Sequence, residues 1–266
     1  MNVFDQMGVY WAEIADQNPT QRQVQFVKSI LKPSGLLLDL ACGTGRHIIP
    51  LSKEGYDTVG SDISPNLLKI AKARLSSIQL VRADMRFLPF KPQAFAAAVS
   101  MDTSFGYLPS ERDDMQSLKE LRETLKQDGA LIVDVFNRER LIQKYRENRA
   151  FNFKWALLPL FLKLNSRLAK WVLFRFFKWQ EYPSFFLLQK RTVDANGVKL
   201  RDLWVVYDKA GGQIRVFRHV DRLYEPKGLK ELLETAGFAV KRVCGDYEGQ
   251  QFSLSSNRLI LVASAK

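Results

Sequence analysis

Apolar runs of strand length recur through the first half of the chain, and a stretch with helical spacing follows most of them. GLLLDLA (35–41) precedes HIIPLSKEG, DTVGSD (57–62) precedes PNLLKIAKARL, IQLVRAD covers 78–84, AFAAAVSM (94–101) precedes a polar helix around 111–126, and GALIVDVFN covers 129–137. Strands alternating with helices through short loops predict a parallel sheet with helices on both faces, and runs as apolar as LLLDL and LIVDV suit strands buried on both sides. Pro33 and Gly35 set an opening helix apart from the first strand, as Asp128-Gly129 does before the fifth. Further on, FFLLQKRTVDANGVKLRDLWVVYDKAGGQIRVFRHVDRLY alternates as three strands joined at Asn196-Gly197 and Gly211-Gly212, both good hairpin turns.

The pattern predicts three parts. Residues 1–140 form an α/β, Rossmann-like core, and residues 141–224 an insertion made of an amphipathic helix over 155–179 and a three-stranded antiparallel sheet over 183–222. Residues 225–266 return to the core with a final helix and its last two strands. At 266 residues and 46% hydrophobic, the chain is ample for a buried core.

Charge changes the picture only once it is located. The net +12 is regional: residues 1–140 balance, whereas residues 141–180 hold nine basic residues against one acidic. The opening MNVFDQMGVYWAEIADQ carries acidic and polar residues where a secretory segment needs an apolar stretch. Two cysteines, Cys42 and Cys244, give neither a disulfide framework nor a metal spacing, so a reducing, cytoplasmic setting is expected and no metal ligands are nominated.

LLDLACGTGRH at 37–47 raises the chemical question. In parallel sheets ligands sit outside the carboxyl ends of the strands, near the first strand-to-helix turn. Gly43 and Gly45 let the backbone approach a ligand there. Asp62, ending the second strand, can accept from a ribose diol or cap the helix that starts near Ser64-Pro65. A dinucleotide fingerprint wants a small residue at the position of Ile48, and no Gly-Lys-Ser/Thr holds a triphosphate, so a nucleoside without pyrophosphate is expected.

LLLDLACGTGRH, VGSDISPNLL, VRADMRFLPF, SMDTSFGYL, LKQDGALIVDVFNRERL and RLYEPKGLKELLETAGF stand in an order and spacing that resembles the class I S-adenosylmethionine-dependent methyltransferases, in a group acting mostly on small molecules. The resemblance implies a seven-stranded sheet, S-adenosyl-L-methionine as cofactor and a small-molecule acceptor. It places Asp39, Ala41, Gly43 and Gly45 at the methionine portion, Asp62 at the ribose, and Ile63 against adenine. Asp84 then accepts from the adenine amino group, the Met85 amide donates to the ring, Met101 lies beside the sulfonium, and Tyr10 folds over the methionine end.

The sulfonium methyl is a strong electrophile, so alignment of the acceptor is the main requirement and a general base is optional. His219, Tyr107 and Tyr224 are the candidates to remove a proton. FRHVDRLY alternates like a strand, so His219 is equally read as a structural histidine, and Tyr224 as a staple for the following helix.

The insertion's first part places Lys163, Arg167, Lys170, Arg175 and Lys178 within an arc of about 140° at 100° per residue, opposite an apolar sector. Trp155, Trp171 and Trp179 fall here too. Such a helix suits the surface of an anionic membrane, a lipophilic acceptor's entrance or a partner; as a lid, it needs only to pack its apolar face on the sheet. Basic and aromatic residues together also fit RNA, the competing reading, although this segment is too apolar for a groove that tracks a nucleic-acid backbone. A protein that binds the cofactor without catalysis is the non-enzyme alternative.

Overall fold

The computed structural model describes residues 3–145, 158 and 177–266. The chain divides into two compact units, Met1–Arg140 with Arg222–Lys266, and Leu141–Asp221.

In the first unit α1 (Val3–Met7), α2 (Val9–Asp16) and α3 (Thr20–Ile30) lead into β1 (Leu36–Leu40). Then come α4 (Ile48–Lys53), β2 (Asp57–Asp62), α5 (Pro65–Arg74), β3 (Gln79–Arg82), β4 (Phe95–Ser100), α6 (Glu111–Thr124) and β5 (Leu125–Phe136). After the second unit, which begins within α7 (Arg138–Tyr145), the chain closes with α8 (Pro226–Thr235), β10 (Phe238–Cys244) and β11 (Arg258–Ala265).

These strands form one seven-stranded sheet in the order β10-β11-β5-β4-β1-β2-β3. β1 pairs in parallel with both β2 and β4, so the strand order reverses beside it, the position at whose carboxyl end such sheets ordinarily take their ligands. β11 runs antiparallel to both β5 and β10.

Alternation within β1 shows how the layers are built. Leu38 and Leu40 belong to the core that contains Leu118 and Leu121 of α6 and Leu229, Leu232 and Leu233 of α8. Leu37, turned the other way, packs with Val24, Phe26 and Val27 of α3. β5 starts earlier than expected: Asp128 adopts a left-handed φ of 61°, so the Asp128-Gly129 turn lies inside the strand. Ser64 caps α5 by accepting from the Leu67 amide, with Pro65 in the first turn, and a capping box of Ser110 and Asp113 opens α6.

The second unit carries a four-stranded antiparallel sheet, β6 (Gln180–Glu181), β7 (Phe185–Val193), β8 (Lys199–Asp208) and β9 (Ile214–Arg222), in that order. The extra strand relative to three is β6, a two-residue pairing of Gln180 with Leu187 and Glu181 with Phe186, too short for alternation to reveal. The amphipathic helix expected over 155–179 lies, apart from Leu158 and residues 177–179, outside the described residues. No helix among the described residues is long and apolar enough to cross a membrane.

Where the chain re-enters the core it is tied down by a buried carboxylate. Arg222 Nε and the Tyr224 hydroxyl both donate to Oδ2 of Asp114, at 2.9 and 2.6 Å, and Asp114 is fully buried. Asp114→Ala leaves a guanidinium and a phenol without their acceptor and should lower the unfolding free energy by about 3 kcal/mol, read as a lower urea midpoint. A midpoint unchanged from the native chain would show that the contact is not formed in solution.

Candidate active site

The loop after β1 turns left-handed three times, at Ala41 (φ 57°), Gly43 (φ 52°) and Gly45 (φ 79°). A Cβ on Gly45 would come within 2.8 Å of Ile49 and 3.3 Å of Ala71, so this glycine lets α4 and α5 close against the loop. At Gly43 the surroundings are open: the nearest atom to an added Cβ is Leu67 Cδ1 at 3.9 Å, which leaves room for a ligand against the backbone.

Three acids stand near the ends of successive strands, in different environments. Asp39 on β1 is 2% exposed, accepts from the Ile48 amide, and its Oδ2 has no hydrogen-bond partner among the described residues. Burial pushes its pKa up to about 7, against the pull of Arg46. Asp62 on β2 accepts from the Gly43 amide at Oδ2 and the Ser64 amide at Oδ1, both at 2.8 Å. Burial raises its pKa, and these amides oppose the rise. Since Ser64 caps α5, Asp62 instead orients the loop, with lone pairs remaining on both oxygens.

Asp84, just beyond β3, is held by Arg86, whose Nη2 is 2.6 Å from Oδ2 and which also reaches Asp113 at 3.1 Å. Hydrogen bonding by that guanidinium holds the Asp84 carboxyl below its ordinary range. Beside these, Met85 is partly buried and Ile63 is 41% exposed, an apolar side chain left open next to Asp62. Met101 closes β4 within the core and Tyr10 is buried on α2.

The nominated tyrosines differ. Tyr224 packs against Phe105, and burial together with Asp114 raises its pKa far above the ordinary value, so its proton is firmly held. Tyr107 stands edge-on to Phe4, 4.9 Å between centroids. His219 belongs to β9, where burial, reinforced by Arg191, pushes its pKa down to about 4.

A polar network lies at the carboxyl ends of β4 and β5. Asp102 and Thr103 follow β4 in left-handed conformations, φ 55° and 65°, and both turn their amides to Asp134 of β5: Asp102 N donates to Oδ2 and Thr103 N to the carbonyl, each at 2.9 Å. Asp134 also accepts from Arg258 Nε at 2.7 Å and the Tyr247 hydroxyl at 2.8 Å. Asp102 in turn accepts from Arg46 and Asn18, each at 2.6 Å, while Gln23 joins Arg46, His47 and Tyr247. The available signal was an acid inside LIVDVF: a charged residue in a fully buried strand must meet a partner.

Residues 37–129 match the family model described as a methyltransferase domain. The chain is a class I S-adenosylmethionine-dependent methyltransferase. The glycine/sarcosine N-methyltransferase of Parasynechococcus marenigrum is 36% identical to it over 141 residues, half of each chain. A dTDP-3-amino-3,4,6-trideoxy-alpha-D-glucopyranose N,N-dimethyltransferase of Streptomyces venezuelae is 35% identical over 108 residues, 41% of this methyltransferase and 45% of the relative. A solved S-adenosylmethionine-dependent methyltransferase from Clostridium acetobutylicum superposes with a TM-score of 0.74 at 17% identity, over 97% of this chain and 96% of the other, so the fold is shared. The methyltransferase uses S-adenosylmethionine, and the buried Asp39 oxygen, without a hydrogen-bond partner among the described residues, fits a ligand that carries a cation.

Asp134→Leu strands the Arg258 guanidinium in the interior and should cost about 3–5 kcal/mol in urea unfolding. A loss below roughly 1 kcal/mol, the scale of an ordinary hydrogen bond, would mean the network is not a buried ion pair in solution.

Proposed function

We propose that this methyltransferase transfers the methyl group of S-adenosylmethionine to a small-molecule acceptor, with the donor held by the loop after β1 and the ends of β2 and β3. The buried Asp39 carboxylate, one oxygen without a partner among the described residues, carries the reading. When bound, the donor supplies a sulfonium-linked methyl that reacts with a lone pair aligned in line with it.

The residues divide the work. Asp39 accepts from the donor's ammonium group, Ala41, Gly43 and Gly45 line its methionine portion, and Tyr10 covers that end. Asp62, already oriented by two amides, presents its free lone pairs to the ribose hydroxyls. Ile63 packs on adenine, the Met85 amide donates to the ring, and Asp84 accepts from the adenine amino group, sharing its carboxylate with Arg86. Met101 stands beside the sulfonium.

The acceptor atom in this reading is an amine nitrogen, which the names of the two relatives support. A neutral amine already carries its lone pair, so no strong base is needed at the moment of transfer. The tryptophans, phenylalanines and cations of 155–179 support an acceptor with a lipophilic body, met at an anionic membrane surface.

Asp39→Asn and Asp62→Ala should each weaken donor binding roughly tenfold or more in calorimetric titration, the loss expected for a charged hydrogen bond. In the native protein affinity should also rise from pH 6 to 8, because only ionised Asp39 pairs with the ammonium and its pKa is about 7 without ligand. The Asp39→Asn substitution should flatten that slope. For the unliganded fold the sign is opposite: a carboxyl whose pKa is raised on folding binds its proton more tightly folded, so stability falls as pH climbs from the unfolded value toward about 7. Undiminished binding by Asp39→Asn would overturn this placement.

With labelled donor and a lipid extract, the product should be a small molecule heavier by one methylene. Label found only in RNA would replace the small-molecule reading with the nucleic-acid one.

A further inference from the structure

The sheet of the second unit has an apolar face and a face with a polar centre. On one side Leu188 and Val205 pack with Leu158 and Phe177. On the other, Gln189 and Arg191 of β7 sit opposite Trp204 and Asp202 of β8. His219 and Asp221, two residues apart on β9, point the same way and join them. His219 Nε2 lies 3.5 Å from Asp202 Oδ2 and 3.7 Å from Asp221 Oδ2, and the imidazole stands edge-on to Trp204 at 4.4 Å between centroids.

Such positions are ordinarily filled by apolar side chains, yet Asp202 and Asp221 are only 3% and 1% exposed. Asp202 is held by Arg191 Nε, at 3.0 and 3.2 Å from its two oxygens, and by Gln189 at 3.3 Å. Neither oxygen of Asp221 has a hydrogen-bond partner among the described residues. A buried carboxylate left in that state costs several kcal/mol unless it takes up a proton or meets a cation. Among the described residues two carboxylates face one guanidinium here, which leaves one carboxylate without a paired cation.

We propose that Asp202, His219 and Asp221 form a binding site for a first-row divalent cation, zinc being the best fit. The three donor atoms lie within 4.8 Å of one another. Around a tetrahedral zinc with ligands at about 2.0–2.2 Å, neighbouring donors stand about 3.4 Å apart. The 3.5 and 3.7 Å separations of His219 Nε2 from the two carboxylate oxygens are close to that value. Two carboxylates and one imidazole suit zinc or manganese better than the all-oxygen preference of magnesium or calcium. Gln189 and Arg191 would orient Asp202 from behind, and the Arg191 charge would moderate the affinity. Three protein donors leave one position for water or a ligand.

The test uses the untagged 266-residue chain, stripped with a chelator, reloaded with zinc and desalted. Elemental analysis should find about one zinc per chain, with a raised melting temperature, since the ion binds the folded form. Asp221→Asn and His219→Gln should each weaken zinc binding roughly tenfold or more, while S-adenosylmethionine binding in the same samples stays at the native value. Cobalt in place of zinc should show the intense visible bands of a tetrahedral site, which the variants lose. That spectrum decides the matter on native protein if a variant fails to fold. Zinc far below one per chain with no cobalt bands, or zinc binding unaltered in both variants, would overturn the proposal and leave the methyl-transfer reading untouched.

Discussion

Two backbone amides converging on one carboxylate shape the loop after β1 at the carboxyl end of the sheet. Asp62 receives Gly43 from the loop after β1 and Ser64 from the start of α5, and so joins the ends of two neighbouring strands through a side chain. The loop then keeps its left-handed turns, Gly43 keeps its open side, and Asp39 keeps a buried oxygen free of donors from the described residues. Ser64 completes the arrangement by capping α5 and donating to Asp5 at 2.6 Å, which ties the short first helix to the same corner.

Charge in the interior is treated in two ways. Around Asp134 every group finds a partner: a guanidinium, a phenol and a backbone amide meet the carboxylate, and the left-handed pair Asp102-Thr103 is held in place by it. A fully satisfied buried network of this kind rigidifies its surroundings more than it adds stability. It stands at the carboxyl end of β4 and fixes the turn there. In the inserted sheet, Asp221 has no hydrogen-bond partner among the described residues, and the same physics that makes Asp134 structural makes Asp221 a seat for a cation.

Much of the core was legible along the chain because periodicity and local chemistry reach only a few residues. LLLDL and LIVDV read as strands covered on both sides, and β2 was bounded correctly at Asp57 and Asp62, since burial imposes an apolar run and turns need their own residues. The glycine pair and the acids near three strand ends were legible for the same reason. β6 escaped because two residues carry no period, and the pairing of Asp84 with Arg86 was not anticipated, although both lie in one short loop.

By itself the sequence determined the alternation of strands and helices and the turn after β1. Only the tertiary structure decided which charges meet. Asp134 joins Arg258 across 124 positions, Arg46 joins Asp102 across 56, and Asp202 approaches His219 from a neighbouring strand. Such pairs leave no local pattern, because a carboxylate's partner is set by strand order and register rather than by distance along the chain.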